Sequence, residues 1–414
     1  MAFEALLAEY AARRAKALAM GGPEKLAKRK QAGQLNARER VACLVDKDSF
    51  FESGLFGTSG VYPEQADETP TDGKIAGFAR INGRDVAVVV NDFTVKGAST
   101  SATNSKKIGH MKRTATERGM PLVIIGESTG ARLPDAMGSR GMGLLLGNDI
   151  TQFRRTRETP LATAVIGPSF GSSAWLACLA DFAVMHKGAT MAVSSPRLIE
   201  MALGEKADLD ELGGWRMHSE VTGLVDQVVD TEQEMFDAIK RFLSYLPSHH
   251  NEAPPDAPVA AGSGEGMRDI MAILPEKRTQ VYDVRKIVRC IADKDTVFEL
   301  KPRFGKSALT ALARLGGKSV GIIANNPLHR GGALDADACR KIVDFLVLCD
   351  SFNVPIVLLV DTPGFQIGTE AERAGAPGKI MNFMNAMTLV TVPRLSVIIR
   401  KSYGRAYVCM GGGR

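Results

Sequence analysis

Residues 37–52 read ARERVACLVDKDSFFE, and residues 284–299 read VRKIVRCIADKDTVFE. Eight of the sixteen positions are identical, and the two stretches lie 247 residues apart. A separation of this length is far too long for the period of a solenoid. The chain therefore contains one domain-sized unit twice, and the sequence that follows each stretch should indicate the fold of that unit.

The repeat continues downstream at a smaller separation. The fall in offset, from 247 to 234 residues, implies thirteen extra residues in the first copy, near TSGVYPEQADETP at 58–70. Two later apolar runs of strand type match at 234 and 233 residues. The matched segments are GFARINGR (77–84) with ALARLGGK (311–318), PLVIIGESTG (121–130) with PIVLLVDTPG (355–364), and PLATAVIGPSFG (160–171) with PRLSVIIRKSYG (393–404).

Each copy is a series of short apolar strands separated by enough chain for crossover helices. Each ends in a strand, a glycine turn and the start of a helix. This pattern predicts a duplicated α/β layered architecture. Residues 247–266 (PSHHNEAPPDAPVAAGSGEG) are rich in Pro, Ala and Gly, which is typical of a linker. We predict a first domain at 1–247, a linker at 248–266 and a second domain at 267–414.

Composition narrows the class of protein. The 414 residues are 45% apolar and 24% charged, and the net charge of +6 is spread along the chain. This favours a small anionic ligand over nucleic acid. The six cysteines form no CxxC pair, which indicates reduced thiols and a cytoplasmic location. The uncharged run 159–180 contains Pro and Gly, so we predict a strand, a loop and the start of a helix there, rather than a membrane span.

The strongest chemical candidates are the two glycine turns, at 167–173 (GPSFGSS) and 401–406 (KSYGRA). The first amides of a helix have no intrahelical acceptor, and the helix dipole favours an anion beside them. Two such donors aimed at one oxygen form an oxyanion hole. One turn per copy would stabilise two oxyanions in one reaction. The alternative is a pair of ordinary tight turns.

Other chemistries leave weaker signals. Residues 126–130 (GESTG) fit a nucleophile elbow, so Ser128 could serve a hydrolase. The second copy has VDTPG (360–364) at that place, however, which indicates that the turn does not need the serine. Neither GKS tripeptide has the leading glycine of a phosphate loop. The six histidines show no metal-binding spacing, so we expect no metal, and His218 is interpreted as a hydrogen-bonded structural residue.

Longer motifs run through both halves. They are NDFTVKGAS at 91–99, STGARL at 128–133, ELGGWRMHSEVTG at 211–223, VDTPGF at 360–365 and RKSYGRAYVCM at 400–410. Together they are far more specific than any single motif. With them, the chain resembles over essentially its whole length the carboxyltransferase (β) subunits of biotin-dependent acyl-CoA carboxylases, of the propionyl-CoA carboxylase type.

The resemblance implies two crotonase-like (ββα superhelix) domains, with acyl-CoA mainly on the first and carboxybiotin mainly on the second. It also implies a homo-oligomer, in which the domain of one subunit faces the other domain of a neighbour and dimers build a hexamer. In this family, carboxybiotin releases CO2, its ureido group takes the α-proton of the acyl thioester, and the enolate captures the CO2. One oxyanion hole holds the enolate and the other holds the ureido oxygen.

The resemblance assigns roles by position. The thioester oxyanion hole falls on Gly171 and Ser172, and the biotin oxyanion hole falls on Arg405 and Ala406. Ser172 and Arg405 stand where the family usually has glycine. Residues implied at the acyl-CoA side are Lys96, Gly97, Ala98, Ser99, Gly130, Ala131 and Val408. Residues implied at the biotin side are Gly364, Phe365, Tyr403 and Gly404. Lys96 is interpreted either as a phosphate contact of the coenzyme or as a solvated lysine.

The chain contains no Ala-Met-Lys-Met biotinylation site and no ATP-binding loop, so a partner with biotin carboxylase and biotin carrier domains is implied. Two further classes stay open. One is a decarboxylating relative within a sodium-pumping membrane complex. The other is a non-catalytic, truncated assembly subunit, which is suggested by Ser172, by Arg405 and by the end of the chain at 411–414, where family members usually continue.

Overall fold

A computed structural model describes residues 2–61, 63–136, 139 and 154–412. It divides into two compact units, Met1–His218 with Val228–Lys240, and Ser219–Gln227 with Arg241–Arg414. The predicted linker, 248–266, belongs to the second unit and contains no helix or strand before residue 265.

The sheet of the first copy has the strand order β1-β2-β3-β4-β5-β6-β8, and β7 pairs with β5. Its strands are β1 (Phe51–Glu52), β2 (Lys74–Ile81), β3 (Arg84–Asn91), β4 (Leu122–Ser128), β5 (Leu161–Phe170), β6 (Phe182–His186), β7 (Thr190–Ala192) and β8 (Gln227–Val229). The described helices are α1 (Ala2–Leu18), α2 (Pro23–Gln31), α3 (Ala37–Leu44), α4 (Ala102–Arg118), α5 (Leu133–Ala136), α6 (Ser172–Leu179), α7 (Pro196–Leu203), α8 (Leu209–Gly213) and α9 (Glu232–Ser244).

The sheet of the second copy has the order β13-β12-β11-β10-β9. Its strands are β9 (Phe298–Leu300), β10 (Ala308–Leu315), β11 (Lys318–Asn325), β12 (Ile356–Thr362) and β13 (Arg394–Ser402). The helices are α10 (Ile270–Ile273), α11 (Val284–Ile291), α12 (Ala336–Ser351), α13 (Thr369–Arg373), α14 (Ala376–Leu389) and α15 (Gly404–Cys409). Short helical turns occupy Lys96–Ala98 in the first copy and Arg330–Gly332 in the second.

The two sheets repeat each other in register. Strands β2 and β3 form an antiparallel hairpin, and β4 and β5 continue in parallel; β10 to β13 do the same. The ladder between the last two strands is interrupted at Gly126/Ser128 in the first copy and at Val360/Thr362 in the second. These positions differ by the repeat offset of 234. The predicted duplication is therefore present at the level of single residues, including the register shift near the ends of these strands, where the extra residues lie on β5 and β13.

An aspartate that is identical in the two quoted stretches binds the hairpin turn of each sheet. Asp46 accepts the amides of Asn82 (2.9 Å) and Gly83 (2.7 Å), the two central residues of the turn between β2 and β3. In the second copy Asp293 accepts the amides of Gly316 (3.0 Å) and Gly317 (2.7 Å). Two-residue hairpins of this kind need positive φ at both central positions, which Asn and Gly adopt most readily.

An ion pair repeats beside this turn. Arg38 of α3 donates to Glu52 at 2.8 Å, and Arg285 of α11 donates to Glu299 at 2.7 Å. Each pair joins the helix to the strand that follows it, β1 or β9. The identical Arg, Asp and Glu of the quoted stretch therefore have the same contacts in both copies, and they fix the helix, the turn and the first strand relative to one another.

Helices cover both faces of each sheet. Ile287 of α11 shares a core cluster with Ile322 of β11. On the other face, a Cβ built on Gly321 would approach Cys349 Sγ of α12 to 2.5 Å. Because successive residues of a strand point to opposite faces, β11 is buried on both sides. In the first copy Met111 of α4 packs on the equivalent face of β3.

Residues 159–180 form β5, the turn at Gly171 and α6, as the sequence predicted. Within the part of the chain that the structure describes, no helix is long and apolar enough to cross a membrane.

A buried lysine lies at the same place in both copies. Lys107 Nζ donates to Thr71 O (2.9 Å) and to Lys74 O, and Lys341 Nζ donates to Phe304 O (3.0 Å) and Ala308 O (2.8 Å). Burial lowers the pKa of Lys107 to about 8 and the pKa of Lys341 to about 7. Both lysines fix the backbone that enters the second strand of the sheet.

We expect Lys341→Met to lower the free energy of unfolding by about 1–3 kcal/mol, because two buried carbonyl groups lose a donor. The pKa of Lys341 falls from 10.5 to about 7 on folding, so between these values the unfolded chain binds more protons. The stability of the wild type should then rise relative to the variant from about pH 7 to about pH 10 in urea denaturation.

The control is Lys318→Met, which removes an exposed ion pair with Asp256. We expect it to change the free energy of unfolding by less than about 1 kcal/mol. An equal loss in both variants, with no dependence on pH, would contradict the assigned role of Lys341.

Candidate active site

A left-handed turn of residues with positive φ follows β3 in the first unit and β11 in the second. Residues 96–98 have φ of 48°, 61° and 47°, and residues 330–332 have φ of 52°, 63° and 89°. Three successive residues in this region are costly for L-amino acids outside glycine. Such backbone strain concentrates at functional sites, where surrounding contacts hold it. The first of these turns consists of Lys96, Gly97 and Ala98, which the sequence assigned to the acyl-CoA side.

The left-handed turn pairs with the turn that follows β4 in the first unit and β12 in the second. In the first unit Thr100 N donates to Gly130 O and Arg132 N donates to Thr100 O, both at 2.8 Å. In the second unit Leu334 N donates to Gly364 O (3.1 Å) and Gln366 N donates to Leu334 O (2.9 Å). These bonds form the isolated bridges Thr100↔Ala131 and Leu334↔Phe365. The structure thus brings the predicted segments 96–99 and 130–131 together.

The two predicted oxyanion turns are also equivalent. Gly171 precedes α6 with φ 63°, and Gly404 begins α15 with φ 62°. A Cβ built on Gly404 meets no atom within 4 Å, and one built on Gly171 meets only Gly130 Cα, at 3.8 Å. Open space therefore lies over both glycines, and the amides of the helix start face no intrahelical acceptor. Both turns can admit a ligand oxygen close to the backbone.

The donors are not all equally available. The Gly171 amide donates to Ala192 O (3.3 Å) and Val193 O (3.2 Å), so an oxyanion would compete with these carbonyls for it. The first intrahelical bond runs from Trp175 N to Gly171 O (3.1 Å). The amides of residues 172–174 precede that bond. By the repeat, Ser172 and Ser173 are equivalent to Arg405 and Ala406.

The structure accommodates both departures from glycine. Ser172 and Arg405 lie inside helices, where a side chain causes no backbone strain. Ser172 Oγ lies 2.7 Å from Thr100 Oγ1, so a hydrogen bond joins α6 to the residue that follows the predicted segment 96–99. Arg405 is exposed, and Ala406 is buried.

The biotin-side residues predicted from sequence also meet in the second unit. Tyr403 N donates to Thr362 O at 3.2 Å, which places the turn at Gly404 beside the turn at Gly364. Gly364 has φ 135°, and a Cβ there would meet no atom within 4 Å. Phe365 is partly exposed and Tyr403 is 50% exposed. Both glycines therefore have open space beside the backbone, and each is next in sequence to a partly exposed aromatic residue.

A buried carboxylate lies at the interruption of the ladder in both units. Glu127 accepts from Arg29 (2.8 Å) and Arg40. Although burial opposes it, the hydrogen bond to Glu232 and the charge of Glu127 raise the pKa of Arg40. These ion pairs anchor the end of β4 to helices α2, α3 and α9.

Asp361 is the equivalent residue of the second unit. It accepts from Tyr282 Oη (2.9 Å), Arg400 Nε (2.8 Å) and Lys401 N (3.2 Å). Burial and the charge of Asp361 raise the pKa of Tyr282. The donors come from different elements than in the first unit, but they anchor the same strand end.

Ser128 is fully buried and has backbone partners. Its Oγ donates to Ala98 O (3.1 Å) and accepts from the Gly130 amide (3.2 Å). In the second unit Thr362 Oγ1 accepts from the Gly364 amide at the same distance of 3.2 Å. The hydroxyl shapes the turn in both units, as the sequence indicated.

Three other predicted residues have defined surroundings. His218 Nε2 donates to Met191 O at 2.6 Å, and burial lowers the pKa of His218, in agreement with a structural role. Lys96 forms an ion pair with Glu68, from the thirteen-residue insertion, so its ammonium already has an anionic partner. Val408 is 45% exposed on α15 and lines a cavity of about 330 Å³ together with Leu358, Met384 and Met387.

The sequence analysis did not identify the buried side chains that donate hydrogen bonds to Ala98 and Ser99. Lys74 Nζ donates to Ala98 O (2.9 Å), Asn104 Nδ2 donates to Ser99 O (2.8 Å), and Arg132 Nε donates to Ser99 Oγ (3.3 Å). The available signals were a lysine at the start of an otherwise apolar strand and an arginine within STGARL.

Comparison with known proteins agrees with this geometry. The carboxyl transferase domain family matches residues 28–414. The chain belongs to this family. The predicted resemblance and the predicted fold class are thereby confirmed.

Members similar to this chain act in both directions. A propionyl-CoA carboxylase carboxyltransferase subunit of Haloferax mediterranei is 34% identical, over 99% of this chain and 80% of its own length. A methylmalonyl-CoA decarboxylase subunit alpha of Veillonella parvula is 33% identical, over 96% of this chain and 78% of its own length. The solved structure of transcarboxylase 12S, a hexamer with hydrolyzed methylmalonyl-coenzyme A bound, matches with a TM-score of 0.90 and 32% identity, over 99% of this chain and 81% of that chain.

We expect Ser128→Ala to lower the free energy of unfolding by about 0.5–1.5 kcal/mol, because Ala98 O and the Gly130 amide lose their hydrogen bonds to the hydroxyl. Carboxyl transfer should persist, since the hydroxyl is fully buried and bonded to backbone. Urea denaturation and a biotin-dependent decarboxylation assay with malonyl-CoA measure the two effects. The matched variant Thr362→Ala should lose a similar amount of stability. Biotin-independent thioester hydrolysis that disappears in Ser128→Ala would instead establish a nucleophile.

Proposed function

We propose that this chain transfers the carboxyl group of carboxybiotin, carried by a partner chain, to the α carbon of an acyl-CoA thioester. One observation carries the proposal: each unit has a glycine of positive φ at the equivalent position before a helix, with φ of 63° at Gly171 and 62° at Gly404, under open space. A reaction with two developing oxyanions needs two sets of fixed donors, and backbone amides supply them without a side-chain nucleophile.

In the first unit, the amides at the start of α6 hold the thioester oxygen as negative charge develops on it. The helix dipole adds to this stabilisation, which is worth typically about 0.3–1 kcal/mol at an exposed helix end. The paired turns at 96–99 and 130–131 bind the coenzyme beside it. Ser172 joins the two parts through Thr100 Oγ1, so the thioester carbonyl and the coenzyme are positioned by one hydrogen-bonded network.

In the second unit, the amides of Arg405 and Ala406 hold the ureido oxygen of biotin. The open glycines at 364 and 404 let the ring approach the backbone, and Phe365 and Tyr403 flank it. Bound carboxybiotin supplies the carboxyl group and, after its loss, the base for the α-proton. The protein's contribution is to orient the ring and to stabilise charge on its oxygen.

The same donors serve carboxylation and decarboxylation, because the enolate is common to both directions. We propose carboxylation as the principal activity. The relative from Veillonella parvula supports the decarboxylating direction as the second candidate. Measurement of both rates with one biotin-bearing partner decides between them.

Two properties of the assembly follow from the same relatives. The hexamer assembly of transcarboxylase 12S supports a homo-oligomer for this chain. A partner with biotin carboxylase and biotin carrier domains is needed to load the carboxyl group. All six cysteines are free thiols, which supports the proposed cytoplasmic location.

Gly171→Asp and Gly404→Asp test the two turns. Each puts a carboxylate beside a developing oxyanion and a side chain at positive φ. Loss of one oxyanion donor costs roughly 10²–10³ in rate, so we expect at least this loss of kcat for acyl-CoA carboxylation in both variants.

Gly33→Asp is the matched control, because Gly33 also has positive φ (68°) and open space and lies in an exposed turn. It should lose stability to a similar extent and retain the wild-type rate. A folded Gly171→Asp or Gly404→Asp variant with an unchanged rate would remove that turn from the mechanism.

A substitution of Val408 tests whether the cavity that it lines holds the acyl chain of the substrate. The cavity that it lines is bordered by Leu358, Met384 and Met387, so a carboxylate at 408 would disfavour an apolar chain there. One methylene in an apolar pocket changes discrimination by roughly tenfold or more, and we expect Val408→Asp to lower the propionyl-to-acetyl ratio of kcat/KM by about this factor. Val347→Asp, at a 37% exposed position on α12, should leave the ratio unchanged. An unchanged ratio in Val408→Asp would place the acyl chain elsewhere.

A further inference from the structure

All three carbonyl groups of the left-handed turn at 96–98 accept hydrogen bonds from the protein. Each carbonyl accepts a donor from the protein: Lys96 O from Ser99 Oγ (2.7 Å), Gly97 O from Thr129 N (3.0 Å), and Ala98 O from Lys74 Nζ (2.9 Å) and Ser128 Oγ (3.1 Å). The carbonyls therefore point into the protein. Among the described residues, no atom accepts a hydrogen bond from the amides of Lys96 and Gly97, so both amides can donate to a ligand.

The two units differ in strain at the third residue of the turn, since the first residue is a non-glycine residue at positive φ in both (Lys96 and Arg330). Ala98 has φ 47°, whereas the equivalent residue of the second unit is Gly332, with φ 89°. A non-glycine residue in the left-handed region costs roughly 1–2 kcal/mol. The first unit must hold this residue in place, and the second unit has no such need.

The lysine that holds Ala98 is specific to the first unit. Lys74 corresponds by the repeat to Ala308, which has no hydrogen-bonding side chain. The second unit uses a lysine from another strand instead: Lys401 Nζ donates to Gly331 O at 2.9 Å. The position equivalent to Lys401 in the first unit is Pro168. Each unit therefore has one lysine beneath its turn, supplied by β2 in the first and by β13 in the second.

Lys74 is 3% exposed, and no carboxylate of the described residues forms an ion pair with its ammonium. The charged groups that surround it are Asp72, Asp92, Arg132 and Lys107. Burial lowers the pKa of Lys74 to about 7, although Asp72 opposes the shift. Burial of a lysine to this depth is costly, and among the described residues its ammonium donates to Ala98 O of the turn.

We propose that Lys74 is a positioning residue for acyl-CoA: its bond to Ala98 O holds the left-handed turn with the amides of Lys96 and Gly97 directed at the coenzyme. Lys74 acts through the backbone and does not touch the reacting atoms. The inference rests on the proposed function, because it assumes that this turn binds an acyl-CoA thioester.

Lys74→Met should weaken the binding of propionyl-CoA about tenfold, since one charge-assisted hydrogen bond to the turn is lost. We expect the same rise in KM with kcat little changed, which is the signature of lost ground-state and transition-state binding alike. Isothermal titration calorimetry on the whole chain measures Kd, and carboxylation with the biotin-bearing partner measures KM and kcat.

A second substitution separates positioning from stability. Ala98→Gly removes the strain that Lys74 holds, so Lys74→Ala/Ala98→Gly recreates the pair Ala308/Gly332 of the second unit. We expect this double variant to regain most of the lost affinity. It also provides a folded protein for the test if Lys74→Met proves too unstable.

The dependence on pH gives an independent readout. Below about pH 7 Lys74 is charged, and above it the neutral amine makes a weaker bond. The affinity of the wild type for propionyl-CoA should fall relative to that of Lys74→Met as the pH rises through 7. Comparison at equal pH cancels the titration of the coenzyme itself.

Lys341→Met is the matched control, because it also removes a buried lysine from two backbone carbonyls but lies in the second unit. It should lose stability and leave the Kd for propionyl-CoA unchanged. Equal Kd for wild type and Lys74→Met would overturn the inference and leave the proposed function intact. A wild type that binds propionyl-CoA but transfers no carboxyl group would overturn the proposed function alone. A wild type that binds no CoA thioester would overturn both.

Discussion

Backbone hydrogen bonds of Thr100 and Leu334 join the segments that follow the left-handed turns to the turns after β4 and β12, and in the first unit Gly97 O also accepts from Thr129 N. These segments lie outside the continuous strands, so without this pairing buried amides and carbonyls would stay unsatisfied, at about 1–3 kcal/mol each. Everything else at the site depends on the pairing. It sets the place of Gly130 and Gly364. Thr100 Oγ1 then contacts Ser172 of α6, and Thr362 O accepts from Tyr403 N, so the glycine turns at 171 and 404 lie beside these segments.

The two units keep this backbone geometry while their side chains differ. Glu127 forms ion pairs with arginines from helices, whereas Asp361 forms an ion pair with Arg400 and accepts a hydrogen bond from Tyr282. The lysine under the left-handed turn changes strand between the units. Both units keep the positive φ values of the turn, the interruption of the ladder, the isolated bridge and the hydroxyl bond to the Gly130 or Gly364 amide. A chemistry that uses backbone donors tolerates such divergence, because its donors are fixed by the fold rather than by residue type.

The sequence alone predicted most of the fold, and physical reasons explain why. The repeated Arg, Asp and Glu of the quoted stretch make local contacts to the turn and strand that follow, so their identity survives duplication. Apolar runs of strand length and glycine turns are equally local signals. The elements of 159–180 and the structural role of the Ser128 turn were predicted on this basis, and so was the family.

What the sequence by itself determined was the duplicated architecture, the family and the positions of the two glycine turns. Tertiary structure alone decided the rest. That Gly171 already donates to two carbonyls, that Ser172 meets Thr100, and that Lys74 supports Ala98 from a distance of 24 residues all depend on contacts between segments remote in the chain. No local pattern records such contacts, because a lysine in a strand reads as an exposed residue until the packing around it shows that it is buried.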